Sequence, residues 1–113
     1  MDNVPRTLRE KVMHGSVDTG AHIALVNIEF LIHHASSLKD KRRTVNSVKD
    51  RLRARFNAAV AEIGYLDEWQ RCGIGVVMLA NERAPLEREV NAVQQFMLEV
   101  RDIELTGITR EWL

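Results

Sequence analysis

An α+β domain with four strands and two helices is predicted by three features of this sequence. Residues 22–32 alternate between apolar and polar side chains, as half-buried strands do. Residues 38–55 and 85–101 carry apolar side chains at helical spacing. Apolar, strand-like segments also lie between these two helical segments and after the second of them.

The first strand is predicted at His22–Ile32. Its apolar side chains on one face are Ala24, Val26, Ile28, Phe30 and Ile32. Asn27 and Glu29 lie on the other face, which also receives Ile23, Leu25 and Leu31. We therefore expect one face of this strand to meet the core and the other to lie at a partly apolar surface.

The first helix is predicted at Leu38–Arg55. Ser36 and Ser37 precede it and supply the hydroxyl groups that commonly cap helix N-termini. No Gly or Pro interrupts the segment, whose apolar side chains recur at helical spacing as Leu38, Val45, Val48, Leu52 and Phe56. This stripe indicates a helix that packs one side against a core.

A hairpin is predicted after the first helix. Asn57–Ile63 is a strand of small residues, Gly64–Glu68 is the connection, and Trp69–Ala80 is the second strand of the hairpin. On this second strand Ile74, Val76 and Met78 share one face, which we assign to the core.

A second helix and a last strand complete the pattern. Pro85 opens the helix, which ends near Arg101 and carries the apolar stripe Leu86, Val90, Val93, Met97 and Val100. Glu104–Trp112 is the fourth strand. The resulting order predicts a ferredoxin-like βαββαβ fold, a four-stranded antiparallel sheet with both helices on one face. We expect a partner, a second copy or the N-terminal residues to cover the other face.

Length and composition favour a single cytosolic domain. The chain of 113 residues divides into an N-terminal extension, residues 1–20, and a domain, residues 21–113. Its one cysteine, Cys72, cannot form an internal disulfide and lies in an apolar run, which predicts a reduced, buried thiol. No apolar run approaches the roughly 18 residues of a membrane span, and no signal-peptide pattern is present. We therefore predict a cytoplasmic location.

The basic charge is concentrated on the first helix. Residues 38–56 contain eight Lys and Arg against two Asp, a net charge of +6, and the rest of the chain carries −6. A helical projection places Lys39, Arg42, Asn46, Lys49 and Arg53 along one flank of the helix, which we call the basic ridge. Lys41, Arg51 and Arg55 are predicted on the other side. Such a ridge suits polyanions, whereas the alternative is a solvated face whose basic stems shield the core edge.

Two further features could contact nucleic acid. The first turn of the helix, with Ser36, Ser37 and the neighbouring cations, could bind an anion. Taken alone, this end is better explained by an ordinary serine cap. Trp69, Gln70 and Arg71 join an aromatic ring, an amide and a guanidinium, a set that can stack on bases and bond their edges. The alternative for Trp69 is a core side chain.

The catalytic and metal-binding signals are weak. His33 and His34 are adjacent and face opposite ways on extended backbone, so we interpret them as turn residues. Nothing near Cys72 in sequence supplies a base, and Asp67 and Glu68 lie in a loop with no predicted apolar pocket. We expect no enzymatic activity, no metal and no cofactor.

The sequence resembles the YlxP-like family of small bacterial proteins. The resemblance runs from about His22 to Leu113 and rests on residues 37–43 (SLKDKRR), 49–57 (KDRLRARFN), 61–62 (AE), 69–71 (WQR) and 75–76 (GV). It implies a ferredoxin-like fold and a bacterial cytosolic protein, often encoded beside translation factors and a ribosome-maturation factor, with no established enzymatic activity. Two features depart from the family pattern, namely the extension and His33-His34 where Pro-Gly is expected.

These observations lead to one main functional hypothesis and two alternatives. The main one is a non-catalytic RNA-binding or ribosome-associated module, with nucleic-acid contacts at Lys39, Arg42, Arg43, Asn46, Lys49, Arg53, Trp69 and Arg71. The first alternative is a homodimeric protein-interaction module that uses the open sheet face. The second is a phosphate-handling enzyme such as an acylphosphatase, which the absence of glycine from residues 33–37 disfavours.

Overall fold

The computed structural model describes residues 20–113. The predicted extension therefore lies outside the described residues, except for Gly20. Within the described part of the chain, no helix is long and apolar enough to cross a membrane.

Four strands and two helices follow in the predicted order. They are β1 (His22–Leu31), α1 (Leu38–Arg55), β2 (Ala59–Gly64), β3 (Arg71–Ala80), α2 (Arg83–Glu99) and β4 (Glu104–Trp112). The bounds of α1 and β4 agree with the sequence-based prediction. The hairpin strands are shorter than predicted, since β2 begins at Ala59 and β3 at Arg71. Helix α2 begins two residues before Pro85, which lies in the first turn, where no backbone N–H is needed.

The sheet confirms the ferredoxin-like prediction. Its strand order is β2-β3-β1-β4, and every neighbouring pair is antiparallel. The two central strands, β1 and β3, pair over their full lengths, with Val26 opposite Val76 and Ile28 opposite Ile74. Because α1 connects β1 to the edge strand β2, the helix lies over that side of the sheet.

A single hydrophobic core fills the space between the sheet and the helices. The alternating side chains of β1 predicted to face inward, from Ala24 to Phe30, are at most 2% exposed. Leu52 of α1 and Val93 of α2 are fully buried in the same cluster. Cys72 is also fully buried, as predicted, and burial raises the pKa of its thiol to about 12. The thiol is therefore protonated at neutral pH.

The other sheet face carries no helix. Ile23, Leu25 and Leu31 lie there and are partly exposed, as predicted. Gly73 lets β2 approach β3 closely, since a Cβ on this residue would stand 3.1 Å from the Cα of Gly64. The pairing register of the two strands shifts between Glu62 and Gly64, at this close approach.

Candidate nucleic-acid interface

The N-terminus of α1 is capped by the chain's own side chains. The backbone N–H of Asp40 donates to the Oγ of Ser37 at 3.1 Å. In return, the Asp40 carboxylate accepts from the backbone N–H of Ser36 at 3.1 Å and from its hydroxyl at 2.8 Å. The backbone hydrogen bond from Ser36 is the main reason that the pKa of Asp40 is lowered. The first turn is thus an ordinary serine cap with a carboxylate beside it, which disfavours an anion site at this end.

Lys41 lies in the core, and its predicted position on the outer side of the helix is wrong. Its side chain is 2% exposed and its Nζ donates to the carbonyl of Tyr65 at 2.5 Å. The same Nζ lies 3.3 Å from the carboxylate of Glu62 on β2. Lys41 falls three residues after Leu38 and four before Val45, which places it within the apolar stripe of the helix. This spacing was the available signal, and the basic residue type obscured it.

Arg51 and Arg55 cover the seam between the two helices. The guanidinium of Arg51 lies 5.6 Å from the ring centroid of Phe96, and that of Arg55 lies 5.7 Å from the same centroid. Phe96 also meets Phe56 edge to face, with ring centroids 6.1 Å apart. These two arginines therefore fit the alternative interpretation, in which basic side chains shield the core edge.

The remaining cations of α1 are available to a partner. Lys39, Arg42, Arg43 and Lys49 form no ion pair or side-chain hydrogen bond with any of residues 20–113. Arg53, at the end of the basic ridge, donates to the carbonyl of Val60 at 2.8 Å and lies 3.8 Å from Asp50. A guanidinium has five N–H donors, so Arg53 keeps some of them for a ligand.

A small groove runs between the basic ridge and the edge strand β2. It has a volume of about 60 Å³ and is lined by Leu38, Lys41, Arg42, Val45, Asn46, Lys49, Glu62 and Leu66. Asn46 lies between Arg42 and Lys49 in this lining and adds an amide to the two cations. The groove therefore combines hydrogen-bond donors with one carboxylate, that of Glu62, which is paired with Lys41.

Trp69 and Arg71 do not join this surface. Arg71 lies on the open sheet face, where its guanidinium bonds the carboxylate of Glu29 at 2.6 Å and stacks over the ring of Tyr65, 3.9 Å from the centroid. Trp69 lies in the β2–β3 turn and is 51% exposed. The interpretation of Trp69 as a core side chain is therefore wrong. The residues predicted to contact nucleic acid occupy two separate surfaces.

The other candidate residues lie at the surface in turns. His33 and His34 form a turn after β1, and the Nε2 of His33 lies 2.8 Å from the carboxylate of Glu104. Asp67 and Glu68 are exposed in the β2–β3 turn. Among residues 20–113, no three His, Cys, Asp or Glu side chains gather as a metal site would need.

Sequence comparison finds a family model and a relative that each match most of this chain. The profile of the family described as "Protein of unknown function (DUF503)" matches residues 23–110. The uncharacterized protein YlxP of Bacillus subtilis (strain 168) is 34% identical over 90 residues, which cover 80% of this chain and 98% of the relative. The matched region spans both helices and nearly all four strands.

Proposed function

Because the chain belongs to the DUF503 family, whose description assigns no activity, we propose its function from its own surface: it binds structured RNA through the basic ridge of α1. The proposal includes ribosomal RNA as a ligand and includes no catalytic step. Arg43, which is exposed on α1 beside the basic ridge, is included among the proposed phosphate contacts.

The observation that supports this proposal most strongly is the lack of internal partners for four neighbouring cations. Lys39, Arg42, Arg43 and Lys49 have no carboxylate of residues 20–113 within ion-pair distance. Folding therefore leaves these four cations without a direct ion pair among the described residues, and the nearest carboxylates act on them only at longer range, as Asp40 does on Arg43. Phosphate groups are the natural complement, since Lys and Arg contacts to phosphate and the release of condensed counterions supply most non-specific affinity for nucleic acids.

The ridge has the length of an extended contact. From Lys39 to Lys49 the helix rises about 15 Å, so the cations meet several consecutive phosphates instead of one. Arg42 can hold a phosphate through two parallel N–H donors, and Lys49 acts as a point charge. Such contacts position a backbone without reading its sequence, so we propose recognition of RNA shape and charge.

A pair of charge-matched variants tests the proposal. In the first, Arg42→Gln and Lys49→Gln are combined; in the second, Arg88→Gln and Arg101→Gln remove the same charge at exposed positions outside α1. Fluorescence anisotropy with a labelled RNA hairpin, at about 0.1 M salt, should show a 10- to 50-fold loss of affinity for the first variant. The second should lose less than about threefold.

Two results would contradict the proposal. An equal loss of affinity in both variants would mean that only net charge matters. Unchanged affinity in the Arg42/Lys49 variant would mean that RNA, if bound, contacts another surface. Circular dichroism of each variant verifies that the fold is retained, which is expected because neither pair has a partner among the described side chains.

A second candidate function is self-association through the open sheet face. Ile63 and Leu79 lie on that face and are 58% and 64% exposed. Leu25 lies on the same face and is partly exposed. Apolar side chains gathered on one uncovered face favour a homodimer. Light scattering between 1 and 100 µM, as an order-of-magnitude range for such contacts, should then show a concentration-dependent dimer; a constant monomer mass would exclude this candidate.

A further inference from the structure

The β2–β3 turn forms a shallow hollow beside an exposed indole. The hollow has a volume of about 450 Å³ and is lined by Leu31, Asp67, Glu68, Trp69, Gln70 and Arg71. Leu31 gives it an apolar floor, and Trp69 is half exposed. An aromatic ring of this size left at the surface, beside a concave apolar floor, is typical of a binding site.

The turn that presents this ring is bonded to two neighbouring segments, the helix α1 and the loop after β1. Its first residue, Tyr65, accepts at its carbonyl from the buried Lys41 and from the backbone N–H of Glu68. At its other end, the amide of Gln70 donates to the carbonyls of His33 and Ala35, both at 3.0 Å. The backbone that carries Trp69 is therefore fixed before any ligand arrives, which reduces the entropic cost of binding.

The charge around the indole is negative. Asp67 and Glu68 are exposed, and neither carboxylate forms an ion pair with any of residues 20–113. Arg71, the cation of the lining, is already bound to Glu29, and that hydrogen bond is the main reason that its pKa is raised. The lining alone therefore carries a formal charge of −1, which becomes −2 when Glu29, the ion-pair partner of Arg71, is included.

We infer that this hollow binds an arginine or lysine side chain presented by a basic segment of a partner protein. A guanidinium can stack on the face of Trp69 while its N–H groups donate to Asp67 and Glu68. The same two carboxylates repel the phosphates of a nucleic acid, which argues against the nucleic-acid contact predicted for Trp69. The inference concerns a surface separate from the basic ridge and does not depend on the proposed RNA binding.

Titration with a hexa-arginine peptide, followed by the indole N–H signals in ¹H–¹⁵N NMR spectra, tests this inference. The chain has two tryptophans, Trp69 and Trp112, and the variant Trp69→Leu assigns their signals. The signal of Trp69 should move with added peptide while that of Trp112 stays in place. A hexa-citrulline peptide, which has the same shape without the charge, should move neither signal.

Matched variants locate the carboxylates that bind the peptide. Combined Asp67→Asn and Glu68→Gln should weaken peptide binding about three- to tenfold. Combined Glu89→Gln and Glu111→Gln, which remove the same charge at exposed positions elsewhere, should change it less than twofold. The Arg42/Lys49 variant should bind the peptide as the native chain does, so failure here is separable from failure of RNA binding.

Three results would overturn the inference. The first is an equal loss of binding in the two carboxylate variants. The second is a shift of the Trp69 signal on addition of a uridine hexanucleotide, with a shift that becomes larger when Asp67 and Glu68 are neutralised. Stronger binding after the loss of two negative charges would identify an anionic ligand. The third is a shift of the same signal with protein concentration alone, which identifies a second copy of the chain as the occupant.

Discussion

The two flanks of α1 carry the same kinds of side chain in different environments. On the flank that faces α2, Arg51 and Arg55 lie against the ring of Phe96. On the flank that faces the edge strand β2, Arg42 and Lys49 lie beside a groove and contact no carboxylate of the described residues. Between the two flanks, Lys41 is buried against Glu62. A net charge of +6 on one segment therefore divides into charge that serves the fold and charge that remains available for binding.

This division explains why charge counting alone overstates a binding surface. A cation that stacks on an aromatic ring or pairs with a buried carboxylate already has its stabilising contact, and a ligand must compete for it. A cation without such a contact gains from meeting a phosphate. The helix is thus both a packing element and a candidate interface, and single substitutions can separate the two roles.

The largest effect is expected from removing the buried cation. Lys41→Met keeps the aliphatic stem but removes the cation from both of its acceptors. Among the described residues, the carboxylate of Glu62 then keeps only the thiol of Cys72 as a donor, and the carbonyl of Tyr65 keeps only the backbone N–H of Glu68. Loss of one partner of a buried ion pair commonly costs 3–5 kcal/mol; because Glu62 is 23% exposed, we expect the free energy of unfolding to fall by about 2–3 kcal/mol. Urea denaturation followed by circular dichroism measures this change.

Lys39→Met provides the control for that measurement. Lys39 is exposed on the same helix, two residues earlier, and its replacement should change the free energy of unfolding by no more than about 0.5 kcal/mol. If both variants unfold at the same urea concentration, Lys41 does not hold the β2–β3 turn to the helix.

A smaller change in stability is expected from substitutions on the flank of α1 that faces α2, and it distinguishes that flank from the basic ridge. Combined Arg51→Gln and Arg55→Gln should lower the free energy of unfolding by about 1 kcal/mol, since three exposed cation–π contacts with Phe56 and Phe96 are lost. The same variant should keep RNA affinity within about threefold of the native value. The Arg42/Lys49 variant should show the reverse, with unchanged stability and weaker RNA binding. If both variants lose the same stability and the same affinity, the two flanks of α1 are equivalent and the division fails.

Much of the fold was predictable because apolar spacing determines which face of each element is buried. The stripe from Leu38 to Phe56 and the alternation along β1 each led to the observed element and the observed core face. The bounds of β2 and β3 were less predictable, since Trp69 has strand propensity but lies in a turn that Gln70 ties to the loop after β1.

The candidate site was predictable only in part. Helical projection placed Arg42 and Lys49 together correctly, because their spacing along one helix sets their relative position. It could not show that Arg53 bonds the carbonyl of Val60 or that Arg71 pairs with Glu29, since both contacts join residues of different elements. Tertiary contacts decide which cations are paired, and helical projection of the sequence does not predict those contacts.

The smallest effect concerns the capped end of α1. The folded-state pKa of Asp40 is lowered from its ordinary value of 3.8, so its contribution to stability is present above that value and is lost as pH falls through the lower folded-state pKa. Between pH 5 and pH 2.5, the native chain should therefore lose more stability than the variant Asp40→Asn. Urea midpoints at the two pH values measure this, with Asp50→Asn as the control that retains the native acid sensitivity.

The salt dependence of RNA binding tests the central claim most directly. Each phosphate contact contributes about 0.9 to the slope of the logarithm of affinity against the logarithm of salt concentration on a duplex. If the basic ridge holds the RNA backbone, the slope of the Arg42/Lys49 variant should be about 2 smaller in magnitude than that of the native chain. Identical slopes for the two proteins would contradict the account, because they would show that neither cation meets a phosphate.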